Sequence, residues 1–283
     1  MSELAEFSKL AVTLEQWRSK IVFIGGWAFR LYEYEPRAYR PEHKPIFTQD
    51  ADVAYAHQAV LEGDIKSALE GAGFKAEPNF AGGFKPPAMR YTLGEDGNGF
   101  YAEFLTPLVG SPRRRIKGTN DTEPNATEAK AGVVAQKLPH LEVLMHEPWI
   151  VTIPASDSGL GESVPDLRIP NPVSFMIQKL LIREERFVEK RPQDVLYIYD
   201  TMNIFGVVIG DELAPIWRSL EVTLTDAQRK SVRTGVEALF TEVNDTIRAA
   251  ADIPRADRYI EPVTMLRLCQ NGFEELFGHA FWL

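Results

Sequence analysis

The chain has 283 residues, of which 45% are hydrophobic and 25% are charged, and its formal net charge is −9. This composition is typical of a globular protein with one large or two modest domains, and it argues against an intrinsically disordered chain. The negative charge disfavours non-specific adhesion to nucleic acid or to an anionic membrane. A single cysteine, Cys269, excludes an internal disulfide. We see no secretory signal and no apolar run that could span a bilayer, so we expect a cytoplasmic protein with no membrane partner.

The first elements predict a buried strand between two helices. Residues 3–18 carry apolar side chains at helical spacing, which predicts an amphipathic helix. Residues 21–24 are all apolar and rich in β-branched types, which predicts a buried strand. Gly25 and Gly26 follow directly and allow a sharp backbone turn into a second helix. Because the first N–H groups of a helix have no partner inside it, this turn suits an anion such as a phosphate.

Two carboxylates, Asp50 and Asp52, lie close behind Thr48 at the start of a second predicted strand. Strand alternation places both on one face, with Ala51 on the other. Carboxylates in this arrangement repel each other unless a cation lies between them, and hard oxygen ligands suit Mg²⁺. A solvated turn or edge strand is the alternative interpretation of such a pair.

A third acid, Glu103, lies in the second arm of a predicted β-hairpin. Residues 89–93 and 100–105 are the two arms, and the Gly- and Asn-bearing residues 95–99 are the turn. The neighbours of Glu103 are apolar, and an unpaired charge would be costly to bury among them. Glu103 therefore has a cation or a catalytic role, or it lies on the wet face of an edge strand.

Together these residues resemble the nucleotidyltransferase superfamily of DNA polymerase β, and in particular its AbiEii-like branch of bacterial stand-alone enzymes. The shared pattern is a strand, Gly-Gly, a helix, Thr-x-Asp-x-Asp, and later an acid followed by Phe-Leu-Thr-Pro. The positions that match are Gly25, Gly26, Thr48, Asp50, Asp52 and Glu103. One departure is the long, proline-bearing linker over residues 33–47. The resemblance implies an α/β nucleotidyltransferase domain over residues 1–170, with a mixed β-sheet flanked by helices, and a helical C-terminal domain over residues 171–283.

The resemblance also implies an activity, the Mg²⁺-dependent transfer of NMP from an NTP such as ATP to an acceptor hydroxyl. Asp50 and Asp52 would hold two Mg²⁺ ions, and Glu103 would ligate one of them and help to deprotonate the acceptor. The residues assigned to the nucleotide are Gly25, Gly26, Thr48, Lys179 and Arg183. The acceptor stays open between a tRNA, a protein and a small molecule. The alternative is a catalytically silent nucleotide-binding module of the same fold, with a protein partner as in a toxin–antitoxin pair.

A cationic stripe is predicted in the first helix of the C-terminal part, over residues 172–190. Four cations recur there at offsets of 0, 4, 7 and 11: Lys179, Arg183, Arg186 and Lys190. Composition alone favours a solvated face neutralised by nearby glutamates, whereas the resemblance places Lys179 and Arg183 at the triphosphate. AbiEii-like proteins carry a further acid three residues after the aspartate that corresponds to Asp194, but Tyr197 stands here. The role of Asp194 therefore stays open between a motif residue and an acid that favours a helix N-terminus.

The remaining segments predict connections, strands and further helices. Residues 109–130, with Arg113, Arg114, Arg115 and Lys117, predict a loop that either binds a phosphate-rich acceptor or is simply solvated. Residues 141–145 and 149–153 predict strands, and residues 155–172 predict a linker. The histidines show no paired spacing, and no nucleophile elbow, dinucleotide fingerprint or P-loop is present. These absences argue against a zinc enzyme, a serine hydrolase, a dehydrogenase and a P-loop ATPase.

Overall fold

The structure, a computed structural model, describes residues 2–40, 43, 48–79, 88–94, 99–115, 122–254, 256 and 258–278. By the contacts between residues the chain divides into two units, Met1–Tyr34 with Phe47–Pro170 and Glu35–Ile46 with Asn171–Leu283. The sequence prediction counts residues 35–46 in the first domain, whereas the described residues of this range, 35–40 and 43, group by their contacts with the second unit. The backbone N–H of Tyr39 donates to the carbonyl of Ile204 at 2.8 Å.

The first unit combines a mixed sheet with short helices. Its helices are α1 (Glu3–Thr13), α2 (Gly25–Leu31), α3 (Ile65–Gly71) and α4 (Ala155–Ser158). Its strands are β1 (Ile21–Ile24), β2 (Asp50–Tyr55), β3 (Phe74–Asn79), β4 (Ala88–Leu93), β5 (Tyr101–Pro107), β6 (Arg113–Arg115), β7 (Thr122–Pro124), β8 (Thr127–Lys130), β9 (Val133–Leu138), β10 (Trp149–Ile153) and β11 (Val164–Ile169).

The central sheet places β2 and β5 side by side at its middle. The strand order is β1-β2-β5-β4-β3, and β9 pairs with the second half of β5 and with β8. β5 is parallel to β2 and to β9, and the other neighbours are antiparallel. The predicted α/β class with a mixed central sheet is thus confirmed. No described helix has the length and apolar character that crossing a bilayer requires.

The two faces of this sheet differ in what covers them. On one face, Phe7 of α1 stacks on Trp27 of α2 with ring centroids 4.3 Å apart and meets Phe23 of β1 edge-on at 5.0 Å. On the other face, Leu141 and Leu144 pack against a cluster of buried residues that includes Val22, Ile24, Ala54 and Leu105. This apolar cover lies over the end of β2 that carries Ala54, so the acids at its beginning are not part of the cluster.

The secondary structure predicted for three segments of the first unit is wrong. Residues 141–145 form a 3₁₀ helix, which follows His140 in the left-handed region and brings Leu141 and Leu144 to one side. Residues 155–172 are not a linker, because β11 lies within them and pairs with β10 through the buried residues Val164, Leu167 and Ile169. The predicted loop over residues 109–130 contains β6 and β7, which pair with each other, and β8, which pairs with β9.

The second unit is helical, as the sequence predicts for the C-terminal part. Its helices are α5 (Pro172–Ile182), α6 (Arg191–Phe205), α7 (Ala214–Glu221), α8 (Asp226–Phe240), α9 (Asp245–Asp252) and α10 (Pro262–Phe277). The predicted helix over residues 172–190 is too long, because α5 ends at Ile182 and the N–H groups of Glu185 and Arg186 both donate to the Ile182 carbonyl. The predicted capping box of Thr225 and Gln228 is present at the start of α8.

Candidate active site

A row of four charged residues crosses the central sheet. The row consists of Glu77 on β3, Arg90 on β4, Glu103 on β5 and Asp52 on β2, and each residue is paired in register with the next. Residues that are paired in register on neighbouring strands point to the same face. Asp50 lies two residues before Asp52 on β2 and therefore shares this face, where it pairs with Tyr101 of β5. The structure thus brings the three predicted carboxylates, Asp50, Asp52 and Glu103, to one face of two adjacent parallel strands.

Gly25 lies directly against the Asp52 carboxylate. Its φ of +67° is in the left-handed region, and a Cβ placed on it would lie 2.5 Å from Oδ2 of Asp52. Only glycine fits this position without strain or displacement of the carboxylate. The contact follows from the sheet, because Ile24, the residue before Gly25, pairs with Asp52 across β1 and β2. The Gly-Gly turn and the Asp-x-Asp pair, which are 24 positions apart in sequence at their nearest residues, therefore form one site.

Thr48 contacts a carboxylate of the site. Its Oγ1 donates a close hydrogen bond to Oδ1 of Asp50. The observed contact fixes the orientation of Asp50, which is partly buried at the start of β2. The assignment of Thr48 to the nucleotide stays a prediction.

Glu103 is held on the side of β4 rather than on the side of β2. Its Oε1 accepts from Nε of Arg90 at 3.2 Å and from Nδ2 of Asn79 at 3.1 Å. Among the residues that the structure describes, no three His, Cys, Asp or Glu side chains come together as ligands for a metal ion. Asp50 and Asp52 fit a hard divalent cation, since both are oxygen donors on one face beside the Gly25 backbone. Glu103 has the right chemistry and the right strand, but its carboxylate is engaged elsewhere.

Tyr101 is a residue of this face that the sequence interpretation missed. Burial raises its pKa to about 12, with further contributions from the carboxylates of Asp50, Glu103 and Asp52, and the nearby Arg90 opposes them. The guanidinium of Arg90 stacks on the Tyr101 ring at 4.0 Å from its centroid. Strand alternation from Glu103 could have found Tyr101, whereas Arg90 required knowledge of the β4–β5 register.

Lys179 and Arg183 have partners within the second unit. Nζ of Lys179 lies 2.7 Å from Oδ1 of Asp194 and over the rings of Phe175 and Tyr197, at 4.7 and 4.5 Å. Both members of the Lys179–Asp194 pair have side chains that are only 8% exposed. The Tyr197 ring, at the position of the missing acid, therefore contacts the ammonium group of Lys179.

Two further members of the predicted stripe, Arg183 and Arg186, also contact neighbouring groups. Nη1 of Arg183 donates to the carbonyl and to Oγ of Ser231, each at 2.9 Å, and Nε of Arg186 lies 3.0 Å from Oδ2 of Asp194. Lys179 is therefore buried and paired, unlike a cation on a solvated helix face. Asp194 is the shared partner of two cations, Lys179 and Arg186, rather than only an acid that favours a helix N-terminus.

The predicted basic loop is partly described. Arg113, Arg114 and Arg115 form β6, and Arg113 donates to Oγ1 and to the carbonyl of Thr122, both at 2.8 Å. Lys117 and the hairpin turn over residues 95–98 lie outside the described residues. Binding of an acceptor by this segment stays a prediction.

The geometry defines a class: a mixed-sheet α/β protein whose paired aspartates face a glycine turn suited to a phosphate. A family model described as nucleotidyltransferase matches residues 6–221, which is more than half of the chain. The chain belongs to the nucleotidyltransferase family, and its substrate class is therefore a nucleotide. The family description does not specify the AbiEii-like branch, which stays a prediction. No curated protein matches the chain.

Proposed function

We propose that this protein is a Mg²⁺-dependent enzyme that transfers NMP from an NTP to an acceptor hydroxyl and releases pyrophosphate. The observation that carries the proposal is the contact of Gly25 with Asp52. It sets a backbone turn suited to phosphate beside a carboxylate suited to Mg²⁺, with Asp50 two residues away on the same face. The family match over residues 6–221 supports the same class of reaction.

Each residue of the site has a role in this proposal. Asp50 and Asp52 hold the cations, and Thr48 fixes the orientation of Asp50. When bound, two Mg²⁺ ions would neutralise phosphate charge and lower the pKa of the attacking hydroxyl. The backbone N–H groups of Gly25 and Gly26 donate to the β- and γ-phosphates. The acceptor oxygen attacks the α-phosphorus, and the bond from that phosphorus to the oxygen bridging to the β-phosphate breaks.

Glu103 is the residue that receives the acceptor proton or ligates a cation in this proposal. Its Oε1 accepts hydrogen bonds from Arg90 and from Asn79, so the carboxylate would have to turn toward β2 in order to act. The acceptor itself, whether tRNA, protein or small molecule, is not specified by these contacts.

Lys179 and Arg183 remain part of the proposal as cations for the leaving pyrophosphate. Both line one cavity of the second unit, together with Arg191 and Asp194. Because Lys179 is paired with Asp194, it would have to share its charge between that carboxylate and a phosphate. The proposal for these two residues is therefore separate from that for the acidic face.

The test compares the wild-type chain with Asp50→Asn and Asp52→Asn. We expect the wild type to bind NTP with Mg²⁺ in calorimetry and to release pyrophosphate while labelling an acceptor with α-labelled NTP. Each substitution should abolish labelling with the fold retained, because it removes a metal ligand without changing side-chain size. Asp166→Asn is the matched control, since Asp166 is an exposed residue of the same unit whose φ of +56° asparagine also tolerates.

A folded wild type that neither binds NTP with Mg²⁺ nor labels any acceptor would refute the enzymatic proposal. One observation favours the silent module as the second candidate, namely that Glu103 is engaged by Arg90 and Asn79. Nucleotide binding without Asp50-dependent pyrophosphate release would establish that candidate. A protein partner, as in a toxin–antitoxin pair, is a further prediction for this catalytically silent module.

A further inference from the structure

Glu103 has two possible neighbours for its charge, one on each side of its strand. Asp52 of β2 lies in register on one side, and Arg90 of β4 lies in register on the other. The carboxylate takes the second direction, toward Arg90 and Asn79. Two like charges on adjacent strands repel, so without a cation between them the pair with Arg90 is the favoured arrangement.

We propose that Arg90 is a positioning residue that competes with the divalent cation for Glu103, so that metal binding at Asp50 and Asp52 recruits Glu103 only by drawing it away from Arg90. The inference rests on the proposed function, because it takes the aspartates as the metal site. Arg90 would then set how much divalent cation is needed to complete the three-carboxylate site.

Two physical effects of Arg90 both weaken the binding of a divalent cation. Its ion pair with Oε1 of Glu103 must weaken before the carboxylate can turn toward β2, and its positive charge near the site opposes the approach of a second cation. The stack of its guanidinium on Tyr101 holds the charge in place. Removing the guanidinium should therefore tighten metal binding.

The size of the effect follows from exposure. The side chains of Arg90 and Glu103 are 35% and 22% exposed, so the pair is only partly shielded from water. Ion pairs of this kind contribute at most about 1 kcal/mol, which corresponds to about a fivefold change in a binding constant. We expect the dissociation constant for the metal to fall about two- to fivefold in Arg90→Gln.

The experiment titrates the whole chain with Mn²⁺ in place of Mg²⁺ and measures free Mn²⁺ by electron paramagnetic resonance, with no nucleotide present. Arg90→Gln should bind Mn²⁺ more tightly than wild type, and Arg90→Lys, which keeps the charge, should stay close to it. Arg30→Gln is the matched control, because Arg30 also pairs with a glutamate, Glu3, and stacks on an aromatic ring, Trp27, but lies on α2 and not on a strand of the acidic face.

A double-mutant cycle separates the pair from charge alone. In a Glu103→Gln background the gain from Arg90→Gln should be smaller, since no carboxylate is left to release and only the direct repulsion between Arg90 and the cation remains. A gain that is undiminished there overturns the proposal, because the charge of Arg90 would then act without Glu103. Equal or weaker Mn²⁺ binding by folded Arg90→Gln also overturns it and would make Arg90 a support of Glu103. Asn79→Ala provides a second variant, with a smaller gain expected.

Failure of the proposed function has a different signature. If wild-type protein shows no Mn²⁺ binding that Asp50→Asn removes, the metal site itself is refuted, and the inference about Arg90 with it. If that binding is present and Arg90→Gln does not tighten it, only the inference about Arg90 is refuted.

Discussion

Replacement of Asp194 by asparagine should strongly destabilise the second unit, because two cations lose their partner at once. Lys179 lies 2.7 Å from Asp194, and both side chains are 8% exposed. Removing one member of a buried ion pair costs about 3–5 kcal/mol, since the other charge stays buried and uncompensated. Arg186 is 37% exposed, so its lost pair adds less than about 1 kcal/mol. We expect a total near the buried-pair range, with Lys179 as the main source.

The assay is urea unfolding followed by far-ultraviolet circular dichroism, with the free energy of unfolding compared among variants. Lys179→Met should cost less than half as much as Asp194→Asn, because Asp194 keeps Arg186 and methionine packs against the rings of Phe175 and Tyr197. Glu237→Gln breaks an exposed pair with Arg233 and should change the free energy by less than about 0.5 kcal/mol.

Two results would refute this reasoning. One is an Asp194→Asn variant that unfolds within about 1 kcal/mol of the wild type, which is the range of a surface pair. The other is a Lys179→Met variant that is less stable than Asp194→Asn, which would mean that the ammonium group, and not the carboxylate, is the member that the unit depends on. NTP binding by Lys179→Met, measured in the same preparation, tests the separate proposal that Lys179 contacts pyrophosphate.

Three further predictions concern single residues. An alanine in the left-handed region costs about 1–2 kcal/mol of stability. Gly25→Ala should cost more than this, because its Cβ also meets the Asp52 carboxylate, whereas Gly71→Ala, with open space around it, should be nearly neutral. Equal urea midpoints for the two variants would contradict this. Because the pKa of Tyr101 is raised from 10.0 to about 12, its contribution to stability is complete below pH 10 and is lost as the pH rises through 12. Tyr101→Phe should therefore lose less stability than the wild type between pH 10 and pH 12. An unchanged decline of the free energy of unfolding in urea titrations would count against this. Burial raises the pKa of the Cys269 thiol, so a disulfide reagent at pH 8 should label the folded chain far more slowly than the urea-unfolded chain, and equal rates would show that Cys269 is accessible.

Several features of the protein follow from the sequence because they depend on near neighbours. The apolar run before Gly25 predicts a strand and a turn into a helix, and both are present. Alternation predicts that Asp50 and Asp52 share a face, which the register of β2 confirms. The capping box of Thr225 is likewise a local pattern of side chains three residues apart. In each case the determining contacts lie within a few residues of one another, so the pattern itself is sufficient.

Other features were decided by tertiary structure alone. The 3₁₀ helix that begins at Leu141 carries apolar residues that suit a strand equally well, and the sheet face that it covers decides between the two. In the sequence, Lys179 resembles one of a row of solvated cations, and only the folded structure shows that it pairs with Asp194. The carboxylate of Glu103 is positioned by Arg90, because a β-strand presents each residue to two neighbouring strands and its own sequence does not say which neighbour supplies the counter-charge.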